Sequence, residues 1–380
     1  MGFEVINSLN KLDDKYIKNF YENRSTYINS GEDTLKVTYS KIKKVVNKLH
    51  LNKENVYIKE KEMLENSTIL TLATNEMSLA PFYPGQYIVV SAYVAGNYYS
   101  RPYYIISNQK DIENGEYKIN VLKNDSSIMA SFLRSIRIND TVYISGPYGN
   151  FYYSSVRDCN NIIAICEEYG INAAYAFALR IVEENMNIKL NIIYNVKKYK
   201  DILFLEELTS LAKNPRIKLE IITSEEIVEG YDSGYVTLDI VKKYLSKENS
   251  IFIYAKEGML KYLNRELEPL KLPRRYIRYE NFLPRCNVKN VKKFDLSIIY
   301  KDKEIKHSCY NNKTLLDSIE DSRVVINSIS RTGKDNLCLV KVISGKVKIV
   351  NDERNATETL LNLIDPSNVY PCSDTKIEIL

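Results

Sequence analysis

The sequence predicts a multidomain chain in which an antiparallel β-barrel precedes a doubly wound parallel α/β domain and a small α+β domain. Short β-type runs separated by turn signals extend from about residue 56 to 151. From about residue 161 to 282, β-type runs alternate with helical segments. A linker with Pro284 and several basic residues then precedes a last stretch that begins at Phe294. Frequent turns between short strands favour a barrel, whereas strand–helix alternation favours a parallel sheet covered by helices.

The composition is that of an ordinary globular protein. Its 380 residues suggest two or three domains, at roughly 150 residues per domain. The 53 basic and 48 acidic side chains are interspersed, so we expect no nucleic-acid partner. The six cysteines lack disulfide-scaffold spacing, and no apolar run approaches the ~18 residues of a membrane span. We therefore expect a cytoplasmic protein without a membrane span.

Residues 1–52 are predicted to form a helical N-terminal extension. Apolar residues recur there at alternating steps of four and three, as on one face of a helix. They are Leu35, Tyr39, Ile42, Val46 and Leu49. This face either packs on the neighbouring barrel or docks to a partner protein, and the sequence leaves both alternatives open.

The barrel is predicted over residues 53–155. Turn signals at Pro84-Gly85 and Asn114-Gly115 separate its strands. The predicted strands are Ile69 to Ala73, Tyr87 to Val90, Tyr103 to Ile106, Tyr117 to Val121 and Thr141 to Ser145. The pattern is that of a small antiparallel barrel.

The α/β domain is predicted over residues 156–284, and the last domain over residues 293–380. Four strands and four helices alternate in the α/β domain, as in a doubly wound sheet. The strands are Asn161 to Cys166, Lys189 to Tyr194, Ile217 to Ile222 and Ile251 to Tyr254. The helices are Ala173 to Glu184, Leu203 to Ala212, Thr237 to Leu245 and Met259 to Leu267.

Four motifs in the barrel point to one family. They occur in a fixed order, and each is short: Pro84-Gly85-Gln86-Tyr87, Arg101-Pro102-Tyr103-Tyr104, the stretch from Ser126 to Leu133, and Gly146-Pro147-Tyr148-Gly149-Asn150-Phe151. Together with the domain order they resemble the ferredoxin–NADP reductase superfamily. The resemblance covers residues 55 to 380, and its domain order is that of flavin reductases with a C-terminal plant-type [2Fe–2S] ferredoxin domain. Reductases of oxygenases and of hybrid-cluster proteins have this order.

The resemblance implies that the barrel binds a flavin, with FAD favoured over FMN. It implies that Arg101 meets a flavin phosphate and that Tyr103 packs on the isoalloxazine, roles that suit a guanidinium and an aromatic face. Tyr104 stands where the family has a small hydroxyl residue near the flavin N5 atom. The remaining residues implied in the flavin site are Pro102, Met129, Ala130, Ser131, Gly146 and Gly149. In the family, the short helix here offers backbone N–H groups to the phosphate.

The nucleotide-binding turn of the α/β domain is altered. The family carries a glycine-rich turn of type AGGxGITP, and Gly170-Ile171 hold its register here. Glu167 and Glu168, however, replace the paired glycines, which places bulk and negative charge where a pyrophosphate approaches. Likewise, Gly258-Met259 remain from a CGPxxM segment that has lost its cysteine. We expect NAD(P)H binding in the family manner to be impaired.

The last domain resembles a β-grasp ferredoxin whose cluster ligands are mostly missing. Plant-type [2Fe–2S] clusters take C-x4-C-x2-C plus a distant cysteine. On that spacing the first two positions hold Ser330 and Asp335, and only Cys338 is a thiol. The fourth ligand falls on Ser367 or on Cys372, depending on a gap. Hydroxyl and carboxylate groups are poor ligands for cluster iron, so we expect no [2Fe–2S] cluster and no other metal.

The resemblance therefore predicts an FAD-binding oxidoreductase that transfers electrons, with impaired nicotinamide and iron–sulfur sites. The alternative is a non-catalytic regulatory or scaffold subunit that pairs with an active paralogue or a redox partner. A third interpretation is a sensor that holds FAD without turnover. The electron donor and acceptor are not predicted, and no catalytic residue is identified.

Overall fold

The computed structural model describes residues 53–75, 79–281, 288, 290–326, 339–349 and 362–379. They form three main sheets and a two-stranded ribbon. No helix within these ranges is long and apolar enough to cross a bilayer. The predicted N-terminal helical extension and the cluster positions Ser330, Asp335 and Cys338 lie outside the described residues.

The first sheet is a six-stranded antiparallel half-barrel with strand order β4-β3-β6-β1-β2-β5. Its inward-facing apolar side chains alternate with outward-facing ones and form a single core, to which β1 contributes Val56 and Ile58. The strands are β1 Glu54–Met63, β2 Ser67–Ala73, β3 Tyr87–Val94, β4 Asn97–Tyr104, β5 Tyr117–Leu122 and β6 Thr141–Tyr148. Two short helices, α1 Gln109–Glu113 and α2 Ile128–Ser135, lie on either side of β5 in the chain.

The second sheet is parallel, with order β10-β9-β8-β7-β11-β12. Alternate residues of β7 enter two different cores: Ile162 and Ala164 pack on one face, and Ile163 and Ile165 on the other. The strands are β7 Asn161–Glu167, β8 Lys189–Val196, β9 Ile217–Thr223, β10 Asp232–Ser233, β11 Ser250–Ala255 and β12 Ile277–Asn281. The helices are α3 Ile171–Glu183, α4 Leu205–Leu211, α5 Leu238–Lys242 and α6 Glu257–Leu267. Helices thus cover both faces, as in a doubly wound fold.

The third sheet has the order β14-β13-β19-β15-β17 and is mixed, because β13 and β19 run parallel. Helix α7, Leu315–Asp321, packs its apolar side chains into the core of this sheet. The strands are β13 Lys293–Tyr300, β14 Lys303–Tyr310, β15 Val340–Ser344, β17 Leu363–Ile364 and β19 Thr375–Ile379. The ribbon pairs β16 Val347–Ile349 with β18 Val369–Pro371.

The predicted antiparallel barrel and parallel sheet are confirmed. The strand predicted from Tyr103 to Ile106 begins and ends earlier in the chain, because β4 runs from Asn97 to Tyr104. The residues Asn97 to Ser100 are polar or aromatic, and they extend β4 because the whole strand pairs with β3. The domain boundaries and the ferredoxin-like nature of the third sheet stay predictions.

Arg278 on β12 joins the parallel sheet to the segment that leaves the barrel. Its guanidinium donates to the carbonyl oxygens of Asn150 and Tyr152 at 2.8 and 3.0 Å. It also forms an ion pair of 3.0 Å with Asp158, whose side chain is fully buried. The same group lies 5.1 Å from the Phe151 ring centre. Charge, hydrogen bonds and an aromatic face therefore meet on one side chain at this junction.

Candidate functional site

Two of the barrel motifs meet in space. A side chain at Gly85 would lie 2.2 Å from the carbonyl oxygen of Phe151, so only glycine allows this approach. Beside it, the Gln86 amide donates to the Gly149 carbonyl oxygen at 3.2 Å. Gly146 and Gly149 have φ angles of +123° and +102°. The turn before β3 and the turn after β6 therefore form one continuous edge of the barrel.

Successive residues of β4 point to opposite sides of this edge. Pro102 pairs with Val89 of β3, and Tyr103 points into the barrel core at 5% exposure. Tyr104 is equally buried but joins the core on the other side, where its ring lies 5.8 Å from the ring of Tyr169. Its hydroxyl donates to the Glu280 carboxylate at the end of β12. Burial raises the pKa of Tyr104, and Glu280 raises it further, so this hydroxyl stays protonated at neutral pH.

Helix α2 begins beside this strand. The Ser127 side chain accepts from the Ala130 N–H at 3.2 Å, which caps the helix. Met129 and Ala130 are fully buried and pack into the barrel core. Ser131 is exposed, and its hydroxyl accepts from Arg134 at 3.0 Å. The predicted flavin residues of this segment are thus grouped at one helix N-terminus.

Arg101 contacts carboxylates of helix α7, on the third sheet. Nη1 lies 2.9 Å from Glu320 Oε2, and Nη2 lies 3.2 Å from Asp317 Oδ1. Nη1 also donates to the Ser100 carbonyl oxygen at 2.8 Å. Burial lowers the pKa of Arg101, but the two carboxylates more than offset it and hold the guanidinium charged. The residue predicted to hold a flavin phosphate therefore already has anionic partners from within the chain.

Lys256 contacts both acids of the turn that the sequence predicts to be an altered nucleotide site. The Glu167 carboxylate accepts from the Lys256 backbone N–H at 2.7 Å, and the Glu168 carboxylate pairs with the Lys256 ammonium. Gly170 is kept for space, because a side chain there would lie 2.4 Å from the Tyr254 carbonyl oxygen. The adjoining Ile171 is fully buried and opens α3. Gly170 and Ile171 thus serve packing, whereas Glu168 forms an ion pair with Lys256.

The described part of the third sheet holds the two alternatives for the fourth cluster ligand. Ser367 is buried, and its hydroxyl donates to Asp365 Oδ1 at 2.5 Å. Cys372 is exposed, whereas Cys309 is buried in the core. No cluster of three potential metal ligands occurs among the described residues.

Four residues of this site escaped sequence reasoning: Lys256, Glu280, Asp317 and Glu320. Each pairs with a residue that the motifs did identify, at a separation of 88 or more positions along the chain. One signal was present in the sequence, because a lysine at position 256 accompanies glutamates where the family has glycines. The i, i+3 pair of acids on α7 places both carboxylates on one helix face, but nothing local indicates their partner.

Comparisons with known proteins agree on the barrel. Residues 55–153 match the family model described as the oxidoreductase FAD-binding domain. Flavohemoprotein A of Dictyostelium discoideum is 22% identical over 249 residues, which cover 61% of this chain and 61% of that protein. NADH-cytochrome b5 reductase 2 of Mycosarcoma maydis is 29% identical over 148 residues, covering 38% of this chain and 41% of that enzyme. The chain thus spans about three fifths or less of these curated relatives.

Solved structures share the fold. Phthalate dioxygenase reductase, described as a modular structure for electron transfer from pyridine nucleotides to [2Fe–2S], superposes with a TM-score of 0.66 at 15% identity. That match covers 86% of this chain and 98% of the other. The flavohem-like FAD/NAD-binding domain of nitric oxide dioxygenase from Vibrio cholerae has a TM-score of 0.54 at 18% identity, covering 61% and 99%.

The residues on and beside β4 are of types that suit a flavin nucleotide. The Arg101 guanidinium and the buried Tyr103 and Tyr104 rings lie on β4, and helix α2 contacts the same strand. These groups would hold a phosphate and border a flavin ring. The barrel thus matches the oxidoreductase FAD-binding domain over residues 55–153, and the described chain shares its fold with phthalate dioxygenase reductase.

Proposed function

We propose that this chain binds FAD in its barrel and acts as a flavin-dependent electron-transfer oxidoreductase. The observation that carries the proposal is the edge formed by the Gly85 and Gly149 turns beside β4, within the stretch that matches the FAD-binding family. Bound FAD supplies one- and two-electron redox chemistry. In this proposal Arg101 holds a phosphate beside β4, and Tyr103 supports that strand from within the barrel core.

The proposed electron donor is not NADH or NADPH bound in the family manner. Glu167 and Glu168 stand at the turn where a dinucleotide would place its pyrophosphate, and Lys256 compensates only one charge of the two. Even one like-charge pair at ~4 Å costs on the order of 1 kcal/mol in water and several times more near a protein surface. The rings of Tyr104 and Tyr169, with centres 5.8 Å apart, also pack together where β4 meets the parallel sheet. A protein or a small molecule is therefore the proposed donor or acceptor.

The third sheet is proposed to be a ferredoxin-like domain without a cluster. At least two of the four ligand positions lack a thiol, since Ser330 and Asp335 occupy them. If Ser367 is the fourth position, it is already hydrogen-bonded to Asp365 and buried. Loss of both thiolates from one iron leaves that iron without soft ligands.

A non-catalytic regulatory or scaffold subunit is the second candidate. The specific observation that favours it is the Lys256–Glu168 pair, because the ammonium beside this turn is engaged by a carboxylate of the chain rather than offered to a phosphate. Such a subunit would pair with an active paralogue or a redox partner. Holding FAD without turnover would fit the same observation.

An absorption spectrum decides between these functions. The chain would be expressed anaerobically with flavin, iron and sulfide, and its spectrum recorded before and after addition of NADH, NADPH and then dithionite. We expect oxidised-flavin bands that persist with the nicotinamides and bleach with dithionite. Bleaching by NADH or NADPH would contradict the proposed block at Glu167 and Glu168. A colourless protein would contradict FAD binding and leave the scaffold function.

A variant pair tests the proposed phosphate anchor. Arg101→Lys keeps a positive charge near Glu320 but loses the two-pronged geometry of the guanidinium, so we expect weaker FAD retention. Arg137→Lys alters an exposed arginine of the barrel and serves as the matched control. Equal flavin content in the two variants would remove Arg101 from the proposed site.

A further inference from the structure

The buried Glu320 carboxylate binds the third sheet to the barrel through Arg101. Its side chain is 2% exposed and that of Arg101 is 17% exposed, so water contributes little to either charge. A buried carboxylate requires a positive partner, because desolvation otherwise penalises its charged form. While α7 stays docked on β4, Arg101 is therefore engaged.

A second set of contacts extends the same interface. The Tyr99 hydroxyl of β4 donates to Asp321 Oδ1 at 3.3 Å, and Lys313 lies 3.0 Å from the other oxygen of Asp321. With Asp317 and Glu320, three acids of α7 and two cations, Lys313 and Arg101, meet beside β4. The cluster carries a net charge of about −1 at neutral pH. A phosphate that approaches Arg101 in this arrangement meets negative charge rather than positive.

We propose that the α7 carboxylates and a flavin phosphate are alternative partners of Arg101, so that FAD binding and docking of the third sheet on the barrel oppose each other. The inference rests on the proposed function, since it takes Arg101 as the phosphate anchor. By linkage, FAD loosens α7 by the same factor by which docked α7 weakens FAD. The third sheet then regulates access to the flavin site.

The α7 carboxylates compete only with the phosphate of FAD, so a flavin without a phosphate serves as an internal control. Riboflavin carries the same ring as FAD but no phosphate, so its affinity does not depend on whether Arg101 is free. Glu320→Gln removes one negative charge from the cluster and keeps an amide that accepts from Arg101. The matched control is Glu304→Gln, which removes an exposed carboxylate from β14, where it pairs with Lys376.

The experiment measures dissociation constants for FAD and for riboflavin with the full-length wild type, Glu320→Gln and Glu304→Gln. We expect Glu320→Gln to bind FAD tighter by roughly tenfold or more, with riboflavin affinity and the Glu304→Gln variant unchanged. Equal FAD affinity in all three proteins would overturn the opposition and leave the proposed function standing. Equal tightening for FAD and riboflavin would overturn it as well, because the effect would then not act on the phosphate. Absence of FAD binding in every protein would overturn the proposed function, and the inference with it.

Hydrogen–deuterium exchange of the wild type provides a readout that does not depend on a variant. Saturating FAD is expected to accelerate amide exchange in α7, Leu315–Asp321, relative to α6, Glu257–Leu267, which lies on the parallel sheet. Exchange in α7 that is unchanged or slowed by FAD would overturn the proposal.

Discussion

Gly170 offers a direct test of whether the altered nucleotide turn is maintained for packing. Its backbone is helical, with φ −59° and ψ −20°, so alanine meets no conformational barrier there. The obstacle is space. An added methyl would lie 2.4 Å from the Tyr254 carbonyl oxygen, whereas ordinary contacts begin at 3.4 Å, so one backbone must move by about 1 Å. Tyr254 lies on β11, which is hydrogen-bonded on both sides by β7 and β12.

The expected change in the free energy of unfolding is the cost of overpacking minus the gain in helix propensity. Overpacking costs about 1–3 kcal/mol, and here the cost lies towards the upper end because the neighbour is backbone. Replacing a helical glycine by alanine returns up to about 1 kcal/mol. We expect Gly170→Ala to lower the free energy of unfolding by about 2 kcal/mol. Gly258→Ala is the matched control, because no atom lies within 4 Å of an added methyl there, and it should be neutral or stabilising by about 0.5 kcal/mol.

Urea denaturation of both variants, followed by circular dichroism and tyrosine fluorescence, measures the difference. The chain contains 31 tyrosines and no tryptophan, so tyrosine is the available fluorophore. A Gly170→Ala protein as stable as the wild type would refute the packing argument. If that variant were as stable as the wild type but no longer bound a nucleotide that the wild type binds, Gly170 would belong to a working dinucleotide site.

Three further predictions concern charge, space and thiol reactivity. Burial raises the pKa of Glu167 above 4.5, so stability falls as pH rises from 4.5 through the folded pKa. Glu167→Gln should then be more stable than the wild type at pH 7.5, with the gap closing towards pH 4.5 in urea titrations. Gly345→Ala, with φ +100° and a carbonyl oxygen 2.3 Å from the added methyl, should cost about 2–3 kcal/mol in the same assay, against about 1 kcal/mol for the open Gly96→Ala. Burial raises the pKa of Cys309 to about 11, so iodoacetamide at pH 8 should label it far more slowly than the exposed Cys372, as peptide mass mapping would show.

Each of these has a clear contrary result. A Glu167→Gln protein that loses stability equally at both pH values would mean that the charged carboxylate stabilises the turn. Equal costs for Gly345→Ala and Gly96→Ala would mean that the backbone near residue 374 yields to the methyl. Equal labelling rates for the two cysteines would mean that the core of the third sheet opens readily.

The elements that the sequence predicts best are those whose signal is local. Strands β7, β8 and β11 are mainly apolar and are buried on both faces, and their spacing with the helices can be read directly from the sequence. Strand β1 was harder, because only Val56 and Ile58 are fully buried and half of its ten residues are charged. Its role as a central strand depends on pairing with β2 and β6, which no local pattern reveals.

The same distinction applies to the site. The motif around Arg101 locates the proposed anchor, but its partner Glu320 lies 219 residues away on α7. Sequence reasoning likewise identified Glu167 and Glu168 as obstacles without seeing that Lys256 neutralises one of them. Residue types and turns are encoded locally, whereas the partners of charged groups are set by packing between sheets.

The junction at Arg278 has a practical consequence for dissecting the molecule. The FAD-binding match ends at residue 153, which invites expression of the barrel alone. A fragment cut there would lose Arg278 and with it the donors to Asn150 and Tyr152, and would expose one face of Phe151. The isolated parallel sheet, if begun at Asp158, would keep its ion pair but lose those carbonyl acceptors. A useful fragment must therefore run from the start of the barrel through the end of β12.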